Sequence, residues 1–526
     1  MIRLGIDVGG TNTDAVLVDG DTVRHSVKTA TTPDVSTGIV QATKKLASQN
    51  PAAHRADAVM VGTTHFTNAV VQRRGVSRIA AVRVGLPAAA TLEPFVDWPP
   101  DLRTLVKGPT FMVQGGHEVD GTPLAPFDRA AMKDAALQIA DSGVEAVGIS
   151  AVFSPLNFAA EREAAEILQT VAPHVAVTMS HELGRIGLLA RENVTLLNAS
   201  LVSLARRTTG GFVDALRESG IQAVLYITQN DGTVSLADQA ARFPVHCFAS
   251  GPTNSLRGAA FLSGLKEAMV VDVGGTTSDI GCLRRGFPRE ANNAVEVGGV
   301  RTAFRMPDLL SIGLGGGTIV DPKNPNQVGP LSVGYQLEER ATVFGGSEIT
   351  LTDVAVAAGL VDLGERKRTA KFGKDFVNQV ITRCHDMLAE AIDRMKTDAE
   401  DLPLIAVGGG CFLVPEKIPG ISKVVHVAHQ GVANAVGAAI AQVSGEVDQI
   451  FQNMSRGEAL EKARVLASER AVKGGASLKT IAVVEEEDIP LSYLPGNSLR
   501  VRVRVVGDVQ QRPRATTENK HRLRRE

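Results

Sequence analysis

Residues 2–18 read IRLGIDVGGTNTDAVLV, and residues 269–283 read MVVDVGGTTSDIGCL. Each stretch is an apolar strand, a Gly-Gly turn and a second apolar strand. Aligning Asp7–Asp14 with Asp272–Asp279 gives six identities in eight positions, and Thr13 is exchanged for Ser278. The copies stand 265 positions apart, too far for a solenoid repeat and suited to two similar domains.

Outward from these stretches, helix and strand signals alternate. Residues 56–61, 79–84, 144–150, 174–179 and 225–228 read as strands, and 128–142, 159–171 and 187–219 as helices. Past the second copy, 286–348 is rich in Gly, Pro and Asn and predicts long loops with short strands. Helices return at 352–360 and 374–396, and a strand at 404–407 runs into Gly408-Gly409-Gly410. Small residues at close helical spacing in 431–444 predict a helix packed tightly on another element. Such alternation favours an α/β architecture with largely parallel sheets. Residues 499–506 (LRVRVRVV) alternate like an edge strand, whose exposed rim Arg500, Arg502 and Arg504 would protect. The polar, basic tail after Asp508 predicts disorder.

A Gly-Gly turn brings backbone N–H groups close to a ligand because no Cβ intrudes. Gly9, Gly10 and Asn12 in the first copy and Gly274 and Gly275 in the second lie in these turns, and Thr11 and Thr13, with Thr276, Thr277 and Ser278 in the other copy, add hydroxyl donors. Polyphosphate suits this nest. Asp7 and Asp272 precede the turns, where each could hold a hydrated Mg²⁺ beside the phosphates. Asp14 and Asp279 end them and could orient a nucleophile or the metal's water shell.

Composition narrows the classes. Of 526 residues, 44% are hydrophobic and 21% charged, as in an ordinary globular enzyme. The 55 basic and 57 acidic residues leave a formal net charge of −2, unlike the basic excess of a duplex-binding protein, so no nucleic acid partner is expected. Glycine is abundant at 52 residues and aromatics make up only 4%, which suits tight βα turns better than a stacking platform. Four cysteines without a CxxC pair argue against a disulfide scaffold or structural zinc module. The opening has no signal-peptide pattern and no apolar run approaches the ~18 residues of a membrane helix, so a cytoplasmic location without membrane contact is expected. A Walker A pattern is absent.

The paired hairpins resemble those of the actin/sugar-kinase/Hsp70 ATPase superfamily. That resemblance implies an α/β, actin-like (ribonuclease H-like) fold of two related domains closing on ATP. It also implies an adenosine-contacting glycine turn late in the second domain, matched by Gly408, Gly409 and Gly410, followed by a small-residue connecting helix, matched by GVANAVGAAIA at 431–441. More narrowly, the chain resembles the ATP-binding subunit of the hydantoinase/oxoprolinase family. GIDVGGTNTDAVLVD, GTTHFTNAVVQRRG (62–75), SHELGR (180–185), ARENVTLLNASL (190–201), SGPTNSLRGAAFL (250–262), SIGLGGGTI (311–319), VGPLSVGY (328–335) and FGGSEITLTDV (344–354) follow in family order. The chain departs from the family in lacking the Pro-Gly-Pro-Ala-Cys-Tyr-Gly run after VGPLSVGY, and larger members carry a longer C-terminal region.

The resemblance implies ATP-dependent opening of a cyclic amide or imide, such as hydantoin or 5-oxoproline, by phosphorylation of the amide oxygen. It also implies Mg²⁺, a second subunit and an oligomer. Asp7 and Asp272 would serve metal and water, and Asp14 or Asp279 the acceptor oxygen or water. A small-molecule kinase and an ATP-driven activator of a partner protein are the alternative readings. The expected domains are 1–185 and 186–445, then an extension at 446–507 and a tail at 508–526.

Other residues invite plainer readings. His65, Asn68, Thr63 and Thr64 are either site residues or caps. His181-Glu182 has no second His at zincin spacing, and Glu182 reads as a structural acid. His246-Cys247 and Cys384-His385 read as core. Asp353 reads as a helix cap, and the acidic run Glu485–Asp488 as solvated surface.

Overall fold

The computed structural model describes residues 1–510 apart from 10–11, 33–34, 185, 292–294, 303–305, 398 and 493–495. The basic tail beyond 510 therefore lies outside the described residues.

Each Gly-Gly stretch forms an antiparallel hairpin inside its own sheet. The first hairpin, Ile2–Val8 and Asn12–Asp19, belongs to a nine-stranded sheet. Its order is Ala482–Pro490, Leu499–Gly507, Val443–Phe451, Val234–Leu236, Val224–Thr228, Ala58–Thr63, Ile2–Val8, Asn12–Asp19, Thr22–Ala30. The second hairpin, Ala268–Val273 and Ser278–Arg284, belongs to a six-stranded sheet, where Leu404–Val407 runs parallel to Ala268–Val273. This pairing of like hairpins in two α/β halves is the expected actin-like architecture. A third, four-stranded sheet of Ile79–Leu86, Lys107–Gln114, Ala146–Ala151 and Ala176–Met179 is wholly parallel. The long helix Leu188–Glu218 packs between it and the first sheet.

Sheet membership crosses the boundaries expected at 185 and 445. Strands from 224–236 and 443–507 add to the sheet that begins at Ile2. The helix expected over 431–444 is Ala433–Ile440, after which Val443–Phe451 enters that sheet. Leu499–Gly507 is not an edge strand, because it pairs with Val443–Phe451 on one side and Ala482–Pro490 on the other. Val501, Val503 and Val505 are buried against the helix Arg456–Lys473. Arg502 and Arg504 on the opposite face are buried too, in ion pairs with Glu446, Glu485, Glu290 and Asp231. Of the acidic run, Glu485 is drawn into this cluster, while Glu486 and Glu487 stay exposed as expected of a solvated surface. Glu485 meets both arginines, Glu486 pairs with Arg464 at 2.6 Å and Asp488 with Arg456 at 2.7 Å. Alternating charge marks a polar face, and here that face is covered.

Two helices lie between the halves. Ser250–Ser263 sets Leu256 and Ala259 against Val270 and Ile405 of the second sheet. Ala433–Ile440 sets Ala435, Val436 and Ala439 against Val16 and Val18 of the first. They cross backbone to backbone. A Cβ on Gly258 would fall on the carbonyl of Ala433, and one on Gly437 on the carbonyl of Asn254. The tight packing expected of the small-residue helix is thus realised against a second helix. Among the described residues, no helix is long and apolar enough to cross a membrane.

Candidate functional site

The two hairpins share one register. Asp7 lies opposite Asp14 and Val8 opposite Thr13; Asp272 lies opposite Asp279 and Val273 opposite Ser278. Both turns close with the same bond, from Gly9 N–H to the Asn12 carbonyl at 3.0 Å and from Gly274 N–H to the Thr277 carbonyl at 2.9 Å. Gly10 and Thr11 lie outside the described residues. Asn12, Gly275 and Thr276 are half-buried and Thr277 is exposed at its turn. Thr13 and Ser278 are fully buried. The Thr13 hydroxyl lies 3.4 Å from that of Thr31, and Ser278 donates to the Leu314 carbonyl at 2.6 Å. These two hydroxyls turn into the structure instead of toward the turn.

The crossing helices bring the hairpins together. Ser255 donates from Oγ to Asp272, and Asn434 donates from Nδ2 to Oδ2 of Asp7 at 2.8 Å. Gly62 pairs in register with Asp7, and a Cβ there would stand 2.5 Å from both Asp7 Oδ1 and Asn254 Nδ2. Asn254 directs that amide to Thr228 Oγ1 at 3.1 Å. Oδ1 of Asp7 and Oδ1 of Asn254 are buried without a hydrogen bond of good geometry among the described residues.

Electrostatics follow from this crowding. Burial, then Asp14 and Asp272, push the Asp7 carboxyl up to about 7, against the opposing bonds from Asn254 and Asn434. Burial also raises Asp272, with Ser255 and Lys28 opposing and Asp14 adding. Asp279 is pushed up to about 6, first by burial and then by Asp272, while a bond from Ser311 opposes. Burial raises Asp14, and Lys28 opposes it. The four carboxyls are thus coupled through their charges, Asp7 with Asp14 and Asp272, and Asp279 with Asp272.

Glycine loops brace the second hairpin. Gly410 N–H donates to the Val273 carbonyl at 2.8 Å, and Gly408, at φ +92°, leaves no room for a Cβ beside the Asp272 carboxylate. Gly409 is exposed between them. From the 311–319 loop, Gly316 N–H donates to the Gly274 carbonyl at 3.0 Å and Gly317 N–H to that of Gly275 at 2.7 Å.

Residues 3–172 match the family model for the hydantoinase/oxoprolinase N-terminal region, and residues 191–371 match the hydantoinase/oxoprolinase model. The chain belongs to the hydantoinase/oxoprolinase family. Over 397 residues it is 28% identical to the acetophenone carboxylase gamma subunit of Aromatoleum aromaticum, covering 68% of this chain and 53% of that one. Over 385 residues it is 28% identical to the caprolactamase alpha subunit of Pseudomonas jessenii, covering 68% and 54%. An uncharacterised protein of Methanocaldococcus jannaschii is 27% identical over 429 residues, covering 75% and 62%. The chain thus spans somewhat over half the length of these relatives. The crystal structure of the ATP-dependent caprolactamase from Pseudomonas jessenii shares its fold with a TM-score of 0.77 at 20% identity, covering 97% of this chain and 88% of that one. Nucleotide-free acetone carboxylase does so with a TM-score of 0.67 at 19% identity, with the same coverage.

In this hydantoinase/oxoprolinase chain the hairpin aspartates have partners that motif reading passed over: Lys28, Ser255, Asn434 and Ser311. Ser255 sits inside SGPTNSLRG, which read only as a family motif, and Asn434 inside GVANAVG, which read as packing. Lys28 and Ser311 stand in register opposite Asp14 and Asp279, a signal visible only once strand pairing is known. The weaker candidates resolve plainly. Thr63 Oγ1 accepts from His65 N–H at 3.1 Å, and Asn68 Nδ2 donates to Thr64 Oγ1 at 3.3 Å. His181 Nδ1 stands 2.6 Å from Glu161, and Glu182 pairs with Arg242 at 2.7 Å. Cys247 and Cys384 are buried in separate cores, and no group of three potential metal ligands occurs among the described residues. Asp353 closes a capping box with Thr350.

Proposed function

We propose that the chain is the ATP-hydrolysing subunit of an amidohydrolase that opens a cyclic amide or imide, such as a hydantoin, 5-oxoproline or a related lactam. The observation that carries this reading is the pair of hairpins in one register, with Asp272 near enough to raise the charge cost of Asp7. The relatives support it, since one is named a caprolactamase and its solved counterpart is ATP-dependent.

The donor set suits Mg²⁺ and a nucleotide. A buried carboxylate on Asp7 and a crowded Asp272 fit a hydrated cation. The backbone donors of Gly9–Asn12 and Gly274–Thr277 would take the β- and γ-phosphates, and Gly408–Gly410 the adenosine side. Bound Mg²⁺ would offset negative charge on the phosphates and on Asp7 and Asp272.

An unstrained lactam is a poor electrophile because its nitrogen donates into the carbonyl. Transfer of the γ-phosphoryl to the amide oxygen breaks the β–γ bridging P–O bond, releases ADP and makes the ring carbon electrophilic. Water then adds to that carbon and the ring nitrogen leaves as an amine. A second water releases phosphate from the acyl phosphate, so ATP, lactam and two waters become ADP, phosphate and an amino acid. Asp279, without a cationic neighbour and held near neutrality, suits proton removal from water. Ser311 orients it. The relatives are named as subunits, which supports a second subunit and an oligomer for this chain.

The test is a panel of hydantoins, lactams, 5-oxoproline and simple ketones incubated with ATP, with and without the neighbouring-gene product. Phosphate release matched one-to-one by ring opening is expected. A stable phosphorylated product would assign a kinase, and ATP turnover answering only to a protein partner would assign an activator.

A further inference from the structure

Asp14 and Asp279 hold equivalent places in the two hairpins but face different partners. On the second hairpin the neighbouring strand Leu309–Ile312 sets the neutral hydroxyl of Ser311 opposite Asp279. On the first, the strand Thr22–Ala30 sets Lys28 opposite Asp14, with Nζ at 2.7 Å and 2.9 Å from the two carboxylate oxygens. The duplicated hairpin thus has a cation on one side only. Asp14 is enclosed at 4% exposure, whereas the Lys28 side chain is 40% exposed, so the ammonium closes over the carboxylate and keeps a free outer face. Its field also reaches Asp272 on the opposite hairpin. Among the described residues it is the one basic side chain whose charge acts on any of the four aspartates.

A lysine ammonium is a compact point charge on a flexible four-carbon stem with three donors. From one root it can serve a carboxylate or, a short swing away, a phosphoryl group. Asp14 is the third residue of the strand Asn12–Asp19 that leaves the first turn, so Lys28, opposite it, stands two positions along that strand from Asn12. Had the ammonium served only to balance Asp14, a shorter and more buried partner would have sufficed.

We propose that Lys28 reads the terminal phosphoryl of ATP: it rests on Asp14 when that group is absent and donates to its oxygens when it is present, so that the site distinguishes ATP from ADP. This rests on the ATP-dependent function proposed for the chain. No covalent bond to Lys28 forms or breaks. The swap exchanges one carboxylate partner for a group of higher negative charge, and Asp14 is then free to bond the water shell.

The test compares dissociation constants for a non-hydrolysable ATP analogue and for ADP, each with Mg²⁺, by calorimetry on the full chain. Wild type, Lys28→Met, Lys28→Arg and the double variant Asp14→Asn/Lys28→Met are needed. Because only the analogue carries the terminal phosphoryl, removing the charge-assisted hydrogen bond should weaken analogue binding in Lys28→Met by about tenfold or more and leave ADP within about twofold. Lys28→Arg should recover most of the preference. The double variant, which leaves no unbalanced charge, should regain wild-type thermal stability without regaining the preference. An unchanged preference in Lys28→Met, or its return in the double variant, overturns the proposal and makes Lys28 a counter-ion only. A wild type that binds both nucleotides equally overturns it as well. A wild type that binds neither overturns the ATP reading itself.

Discussion

Asn434 donates to Asp7 across 2.8 Å, although 427 positions separate them in the chain. It sits on the helix whose Gly437 meets the Asn254 backbone at the crossing between the halves. The first hairpin's acid is therefore tied to the joint about which the two halves meet. Because Asn434 favours the ionised form of Asp7, Asn434→Ala should raise that carboxyl above its present value of about 7. ATP turnover at neutral pH should fall about tenfold, and the acid limb of the pH–rate profile should move up by about one unit. A limb that stays in place would separate Asn434 from the chemistry.

The same carboxyl sets a pH dependence of stability. Burial holds Asp7 at about 7 against an ordinary 3.8, so between those values the folded chain keeps a proton that the unfolded chain has released. Its contribution is full below about pH 4 and fades as pH rises through about 7. Asp7→Asn should therefore stabilise the metal-free chain at pH 8 by on the order of a few kcal/mol and have less effect at pH 5. It should abolish ATP turnover, as should Asp272→Ala. Thermal melts in a chelator at both pH values, with circular dichroism to confirm the fold, decide it. Equal stability differences at the two pH values would contradict a buried, proton-holding Asp7.

How much of this was legible in the sequence depends on where each residue's partner lies. The hairpins were readable because Asp, Val, Gly, Gly and Thr recur in one order, and strand and turn chemistry is local. The actin-like pairing followed from that repeat, and the tight small-residue helix from its own local spacing. The partners of the four aspartates were not readable, because Ser255 and Asn434 arrive on helices whose spacing reports packing alone. Lys28 and Ser311 depend on strand register. The alternation at 499–506 was misread for a related reason. An exposed edge and an inner strand with an ion-paired face carry the same period of two, and only the acids of the neighbouring strands distinguish them.

The helix crossing gives a structural test. A methyl on Gly437 would meet the Asn254 carbonyl, which cannot yield without parting the two helices. Gly437→Ala should cost about 1–3 kcal/mol of stability. It should also slow ATP turnover, since Asn254, Ser255 and Asn434 ride on the same pair. Gly431→Ala, where a Cβ would find open space, is the control expected to change neither. Denaturant midpoints and steady-state ATPase rates check both variants. Wild-type behaviour in Gly437→Ala would show that the backbones separate freely.

Arg502 tests the inner position of its strand. It is 2% exposed and meets Glu446 at 2.8 Å, Glu290 at 3.3 Å and Glu485. Arg500, two residues earlier and half-buried, meets Asp448. Removing the cation from a buried cluster leaves acids that cannot reach water, so Arg502→Met should cost about 3–5 kcal/mol. Arg500→Met breaks a pair that water can partly replace and should cost about 1 kcal/mol or less. Because Glu290 flanks the second sheet, Arg502 also ties the C-terminal strands to the other half. Urea midpoints for the two variants measure both effects. A small, equal destabilisation in the two would return this strand to the exposed edge that its alternation suggests.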